Sequence, residues 1–131
     1  MGLNKFGAFG KSSKDKARKG VKDYQCYTVT LTQTSTNAPV ITVQSNTLNG
    51  IPVSAYTSTG LFTLTLVGAF IAGKTILVKL DPAALASVAN SFKLVRTSAD
   101  VITITTYSDT FSSVGNGVLS DTPIEIRVYN N

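Results

Sequence analysis

The most specific chemical spacing in this chain is at residues 68–75, GAFIAGKT, which match the phosphate-binding pattern G-x-x-x-x-G-K-[ST] letter for letter. Such a loop wraps phosphates in backbone N–H groups, neutralises charge with its lysine, and holds magnesium with its hydroxyl at the start of a helix whose N-terminus favours anions. The helix is part of that mechanism. Here Thr75 runs into Ile76-Leu77-Val78-Lys79-Leu80 and then Asp81-Pro82, a short, bounded run rich in strand-favouring residues. A P-loop NTPase is therefore a minor alternative. The expectation is a chance match, with a glycine-containing connection between two strands and an ordinary lysine at Lys74.

The other side chains offer little reactive chemistry. The chain has no histidine, which removes the usual imidazole base, metal ligand and pH switch. Its single cysteine, Cys26, can form neither an internal disulfide nor a cysteine-built metal site, and it reads as a small buried side chain. Beyond residue 23 there are five carboxylates, Asp81, Asp100, Asp109, Asp121 and Glu125, scattered through turns and one strand. Catalysis needs convergent groups. Asp109 and Asp121 flank a long loop and read as solvated turn carboxylates. Tyr24, Tyr27, Tyr56, Tyr107 and Tyr129 would make a sugar-stacking platform if they shared a face, but rim and core positions are the favoured reading. The expectation is a protein that is not an enzyme and takes no cofactor or metal.

The elements that carry these residues are short strands. Phe62, Leu64 and Leu66 alternate with threonines, and after the break at 68–73 Ile76, Val78 and Leu80 alternate with Leu77 and Lys79. Period-two patterns recur over residues 27–33, 40–45, 51–56, 92–97, 101–107 and 124–129. The NTLNG stretch at 46–50 carries an Asn-Gly pair that suits a hairpin, and Pro52 confines the third strand to an edge or marks its start. Residues 83–91, AALASVANS, would allow one or two helical turns after Pro82.

The expected fold is all-β. It is a single antiparallel β-sandwich, or jelly-roll-like domain, of about eight strands spanning residues 24–131, with an extended basic arm over residues 1–23. The expected inward set is Val29, Leu31, Ile41, Val43, Phe62, Leu64, Leu66, Ile76, Val78, Leu94, Ile102, Ile104, Ile124 and Ile126. Outward positions are dominated by the chain's 18 threonines. Val53, Leu61, Val67, Leu77 and Val101 are apolar at outward-capable positions, which fits either a two-sided strand or a subunit contact.

Charge divides the chain sharply. Residues 1–23 hold seven Lys and Arg against two Asp, whereas residues 24–131 hold five cations and five anions, so the whole net charge of +5 lies in the arm. Within the arm, Phe6 and Phe9 are candidate anchors, and Lys11, Lys14, Lys16, Arg18, Lys19 and Lys22 form the basic run. The readings are docking into a protein assembly, neutralisation of nucleic acid, or a solubilising tail. No segment approaches the length of a membrane span or a secretory apolar core, and Phe6 replaces the hydroxyl residue that a myristoylation signal requires. The expectation is cytosolic synthesis without membrane insertion.

Several phrases carry a resemblance: Leu31-Thr32-Gln33-Thr34 into Thr36-Asn37-Ala38-Pro39-Val40, Asn46-Thr47-Leu48, Thr59-Gly60-Leu61-Phe62, Gly68-Ala69-Phe70 with Gly73-Lys74-Thr75, and the run from Asp121-Thr122-Pro123 to Val128-Tyr129. Together they resemble small β-sandwich proteins of bacteriophages and prophages of Bacteroidetes, including crAss-like phages. The resemblance covers most of residues 24–131 and includes no catalytic signature. It implies a virion protein such as a head fibre, decoration or spike subunit, commonly trimeric. Capsid or vertex proteins would be partners of the arm, and a host-surface glycan is a candidate ligand of loops such as 108–117. The basic arm departs from the shortest members of that group. A capsid shell protein whose arm binds genome is the alternative.

Overall fold

A computed structural model of the chain describes residues 23–80, 91–108 and 114–130. Among these residues eight strands form: β1 Tyr24–Thr32, β2 Val40–Asn46, β3 Val53–Ser58, β4 Leu61–Thr65, β5 Thr75–Lys79, β6 Ser91–Arg96, β7 Val101–Tyr107 and β8 Thr122–Tyr129. They make two four-stranded antiparallel sheets, ordered β2-β1-β8-β5 and β3-β4-β7-β6. The all-β sandwich read from the alternation is the fold observed. Residues 81–90, which include most of the stretch expected to allow helical turns, lie outside the described residues.

The core is the set of side chains that period two turns inward. Tyr27, Val29 and Leu31 of β1 and Ile124, Ile126 and Val128 of β8 face Phe62 and Leu64 of β4 and Ile102 and Ile104 of β7, all of them buried. Each such side chain removed from water contributes roughly 1.5–3 kcal/mol, so these four central strands hold most of the apolar stabilisation. Two further plugs come from connections, Phe70 between β4 and β5 and Leu119 before β8.

Three expectations are corrected. Ile76 and Val43 are not core residues: Ile76 is 49% exposed and Val43 48%. In β5 it is Leu77, registered opposite Ile126, that packs on the core, so the phase of that strand is the reverse of the one expected. Val43 sits on an edge strand, where no further strand among the described residues covers it. The Asn49-Gly50 pair does not close a hairpin, because β2 and β3 belong to different sheets and Gly50 does not take a positive φ. The connection crosses the sandwich instead. It is held by Asn46, whose Oδ1 accepts the Leu48 N–H at 2.9 Å while its Nδ2 donates to the Gly50 carbonyl at 3.0 Å.

The strands on either side of the 66–74 connection likewise lie in opposite sheets. Pro52 falls just before β3, and β3 is an edge strand, as a proline there requires.

Candidate functional site

Strand direction sorts the connections into two ends. One end gathers residues 47–52, 66–74 and 97–100 together with Asp23 and Asn130, whose backbones pair at 2.9 Å. The other gathers residues 33–39, 59–60 and 114–121. Residues 1–22 join the body at Asp23, so the first end is the root of the arm.

At the arm end the 66–74 connection is locked to the 97–100 turn. Asp100 accepts the Gly68 N–H at 2.7 Å through Oδ1 and the Leu66 N–H at 2.9 Å through its carbonyl. Phe70 donates its N–H to the Ala99 carbonyl at 2.8 Å, buries its ring, and has its own carbonyl held by Arg96 Nε at 2.6 Å. Gly68 and Gly73 turn the chain at φ 70° and 75°. Beyond them Thr75 bonds back to the Ile71 carbonyl at 2.9 Å and opens β5.

The phosphate-loop geometry is therefore not formed. A strand follows the hydroxyl residue, a phenylalanine fills the core beneath the loop, and a carboxylate already holds one of the N–H groups that phosphate would need. The aliphatic side chains this end leaves in water are Ile51 at 73% exposure, Val67 at 83% and Ile71 at 46%.

The far end is polar and tightly cross-linked. Gln33 is buried, donates Nε2 to the carbonyls of Ser35 at 2.8 Å and Asn37 at 2.9 Å, and accepts the Gly117 N–H at 2.6 Å. Asn116 Oδ1 accepts the Gly60 N–H at 2.8 Å, and its Nδ2 reaches the Tyr56 hydroxyl at 3.4 Å. Thr106, also buried, exchanges bonds with Gly115 through both backbone and Oγ1. These contacts present a rim of small polar groups, Thr34, Ser35, Thr36 and Asn37 beside Gly117, Ser120 and Asp121, all exposed. Asp121 takes φ 44°, donates its N–H to Thr32 Oγ1 at 3.0 Å, and accepts that hydroxyl at 3.3 Å. Asp109, the acid expected to lie near it, falls outside the described residues.

The outer face of the first sheet carries the one ion pair among the described residues. Arg127 meets Glu125 at 3.0 Å, and Glu125 also accepts the Thr28 hydroxyl at 3.1 Å. The guanidinium lies 5.1 Å from the Tyr24 ring centroid, and Tyr24 packs on Tyr129 at 5.0 Å. Hydrogen bonds to Glu125 first and then to Tyr129 raise the Arg127 pKa above its ordinary value.

The five tyrosines form no common platform. Tyr27 is in the core and Tyr56 packs on Phe62 at 5.8 Å, away from the Tyr24–Tyr129 pair. Cys26 is buried, as expected, its sulfur 3.8 Å from the Ser45 hydroxyl. Among the described residues no group of three or more Cys, Asp or Glu side chains could hold a metal, and no helix is long and apolar enough to cross a membrane.

The anchoring residues expected in the arm, Phe6, Phe9, Lys11, Lys14, Lys16, Arg18, Lys19 and Lys22, lie outside the described residues. Gln33 and Asn116 were not anticipated. A polar residue that organises two loops follows no period, and the only cue was amide side chains bordering turn sequences. Comparison of the chain with protein-family models, curated proteins and solved structures returned no match.

Proposed function

We propose that this chain is a structural protein of a phage virion. In this reading residues 1–23 hold it in the capsid or its vertex, and the β-sandwich is displayed and associates with itself, as in a head fibre, decoration or spike subunit. The observation that carries the reading is the polarity of the sandwich. The arm that holds all the net charge is rooted at the end bearing Ile51, Val67 and Ile71, while hydroxyl and amide groups crowd the opposite end. An attachment end needs apolar area and a charged tether. A display end needs rigid, hydrated loops, which the Gln33, Asn116 and Thr106 bonds provide.

In this reading Phe6 and Phe9 fill pockets in the neighbouring virion protein, the Lys11 to Lys22 run meets acidic groups around them, and the far-end rim is where a host glycan would touch. The double variant Phe6→Ala, Phe9→Ala tests it. Incorporation into particles should be lost while the circular dichroism of the body is unchanged, and normal incorporation would end the anchoring proposal.

A further inference from the structure

The two long sides of the sandwich differ in kind. One is made by the edge strands β5 and β6, the other by the edge strands β2 and β3. The β5/β6 side bears Lys74, Lys79, Lys93 and Arg96. Lys79 spans the two edges there, donating Nζ to the Phe92 carbonyl at 2.9 Å with its ammonium 5.2 Å from the Phe92 ring centroid. Charged side chains, lysine above all, keep open sheet edges from pairing with other chains.

The β2/β3 side has no such defence. Residues 24–73 contain no Asp, Glu, Lys or Arg, so both edge strands and the strands behind them are uncharged throughout. Along these two edge strands Val40 is 66% exposed, Val43 48% and Val53 66%.

We infer that the β2/β3 side is an interface and that its occupant is a second copy of this chain, docked by the same side across a twofold axis. The inference deepens the self-association in the proposed function and rests on it. Charge selects the occupant. A charged partner would give up hydration without meeting a counter-charge. The same side of another copy brings no like charges together and offers the matching open strand edge, and an isologous contact requires only that one patch suit itself.

The register shifts set the extent of pairing. Gln44 has no partner in β1 and Thr57 none in β4, so the straight runs are residues 40–43 and 53–56. The contact is twofold, in place of the threefold order that the phage resemblance implies.

Sedimentation velocity of the full chain tests this, together with the double variant Val40→Lys, Val53→Lys and a control, Val95→Lys, on the β6 edge. The unaltered chain and the control should form dimers, with self-association of the double variant weakened roughly tenfold or more. Both altered valines are mostly in water, so the variant should keep its circular dichroism; if it does not fold, Val40→Ser with Val53→Ser replaces it.

A double variant that dimerises as well as the unaltered chain, or a trimer, overturns this interface and leaves self-association standing. A chain that stays monomeric up to roughly 100 µM removes self-association from the proposed function as well. Arm anchoring is judged separately by the phenylalanine variant.

Discussion

The side-chain oxygen of Gln33 accepts the backbone N–H of Gly117 at 2.6 Å, tying the end of β1 to the loop before β8 across 84 residues of sequence. The amide is buried and its two other bonds close the 34–37 turn. Gln33→Ala orphans a backbone donor and two carbonyls, so unfolding in urea should show a loss of about 2–4 kcal/mol. Gln33→Glu keeps the acceptor and loses both donors, and it should be no better than alanine. A loss below about 1 kcal/mol would mean that water replaces the amide.

Two glycines with nearly the same φ should respond differently to alanine. At Gly60, φ 69°, an added Cβ would fall 2.7 Å from the Gly115 nitrogen and 2.8 Å from the Thr106 carbonyl oxygen, both backbone atoms. At Gly68, φ 70°, it would meet nothing within 4 Å. Gly68→Ala should cost about 1–2 kcal/mol from strain alone. Gly60→Ala should cost about 1–3 kcal/mol more, because the far-end loop must shift. Thermal melts of the pair decide it, and equal losses would mean that the loop gives way freely.

Tyr27 is fully buried, its hydroxyl has no hydrogen-bond partner among the described residues, and burial raises its pKa above the ordinary value of 10.0. The neutral phenol is the form the fold prefers. This contribution to stability is therefore complete below the unfolded pKa, and it falls as pH rises from about 10 toward the folded pKa, by at most about 1.4 kcal/mol per pH unit. Tyr27→Phe removes that slope and also an unsatisfied polar group, so at pH 7 the variant should be more stable by about 1–3 kcal/mol. Urea midpoints of both proteins between neutral and strongly alkaline pH test the two parts at once, and a destabilised variant would show that the hydroxyl has a partner.

The arm separates the two virion readings. If it grips protein, deleting residues 1–23 should abolish particle incorporation, and nucleic-acid binding by the full chain should be weak at physiological salt. If it grips genome, log affinity should fall with log salt at about −0.9 per phosphate contacted on duplex DNA, and deletion should abolish that binding. Filter binding across a salt series on both chains distinguishes them.

No nucleotide effect is expected at residues 68–75. The Gly68 N–H is committed to Asp100 and Thr75 opens a strand. Magnesium–ATP should leave the melting temperature unchanged, and Lys74→Ala should alter stability by no more than about 0.5 kcal/mol. A nucleotide-dependent rise that Lys74→Ala removes would restore the NTPase reading.

The alternation was readable wherever only one phase was possible. Phe62-Thr63-Leu64 and Ile102-Thr103-Ile104 interleave apolar with polar residues, and the structure buries the apolar set. In Ile76-Leu77-Val78 every position is apolar, so pattern cannot set the phase; the pairing of Leu77 with Ile126, 49 residues away, sets it. Asn49-Gly50 was misread for a related reason. A local turn preference does not say which strand the next one will pair with, and here the next strand joins the other sheet. The far-end network was least legible, because Gln33 and Asn116 act through backbone atoms of residues distant in sequence.

Strand β8 pairs with β1 along its whole length, from Tyr129 opposite Tyr24 to Thr122 opposite Leu31. In that sheet β8 lies between β1 and β5, so the sheet closes only when segments far apart in sequence meet. Bringing such distant segments together costs loop-closure entropy before the pairing returns anything, so folding should be slow for a sheet of this size, and a half-formed sheet with unpaired edges is the species most open to aggregation.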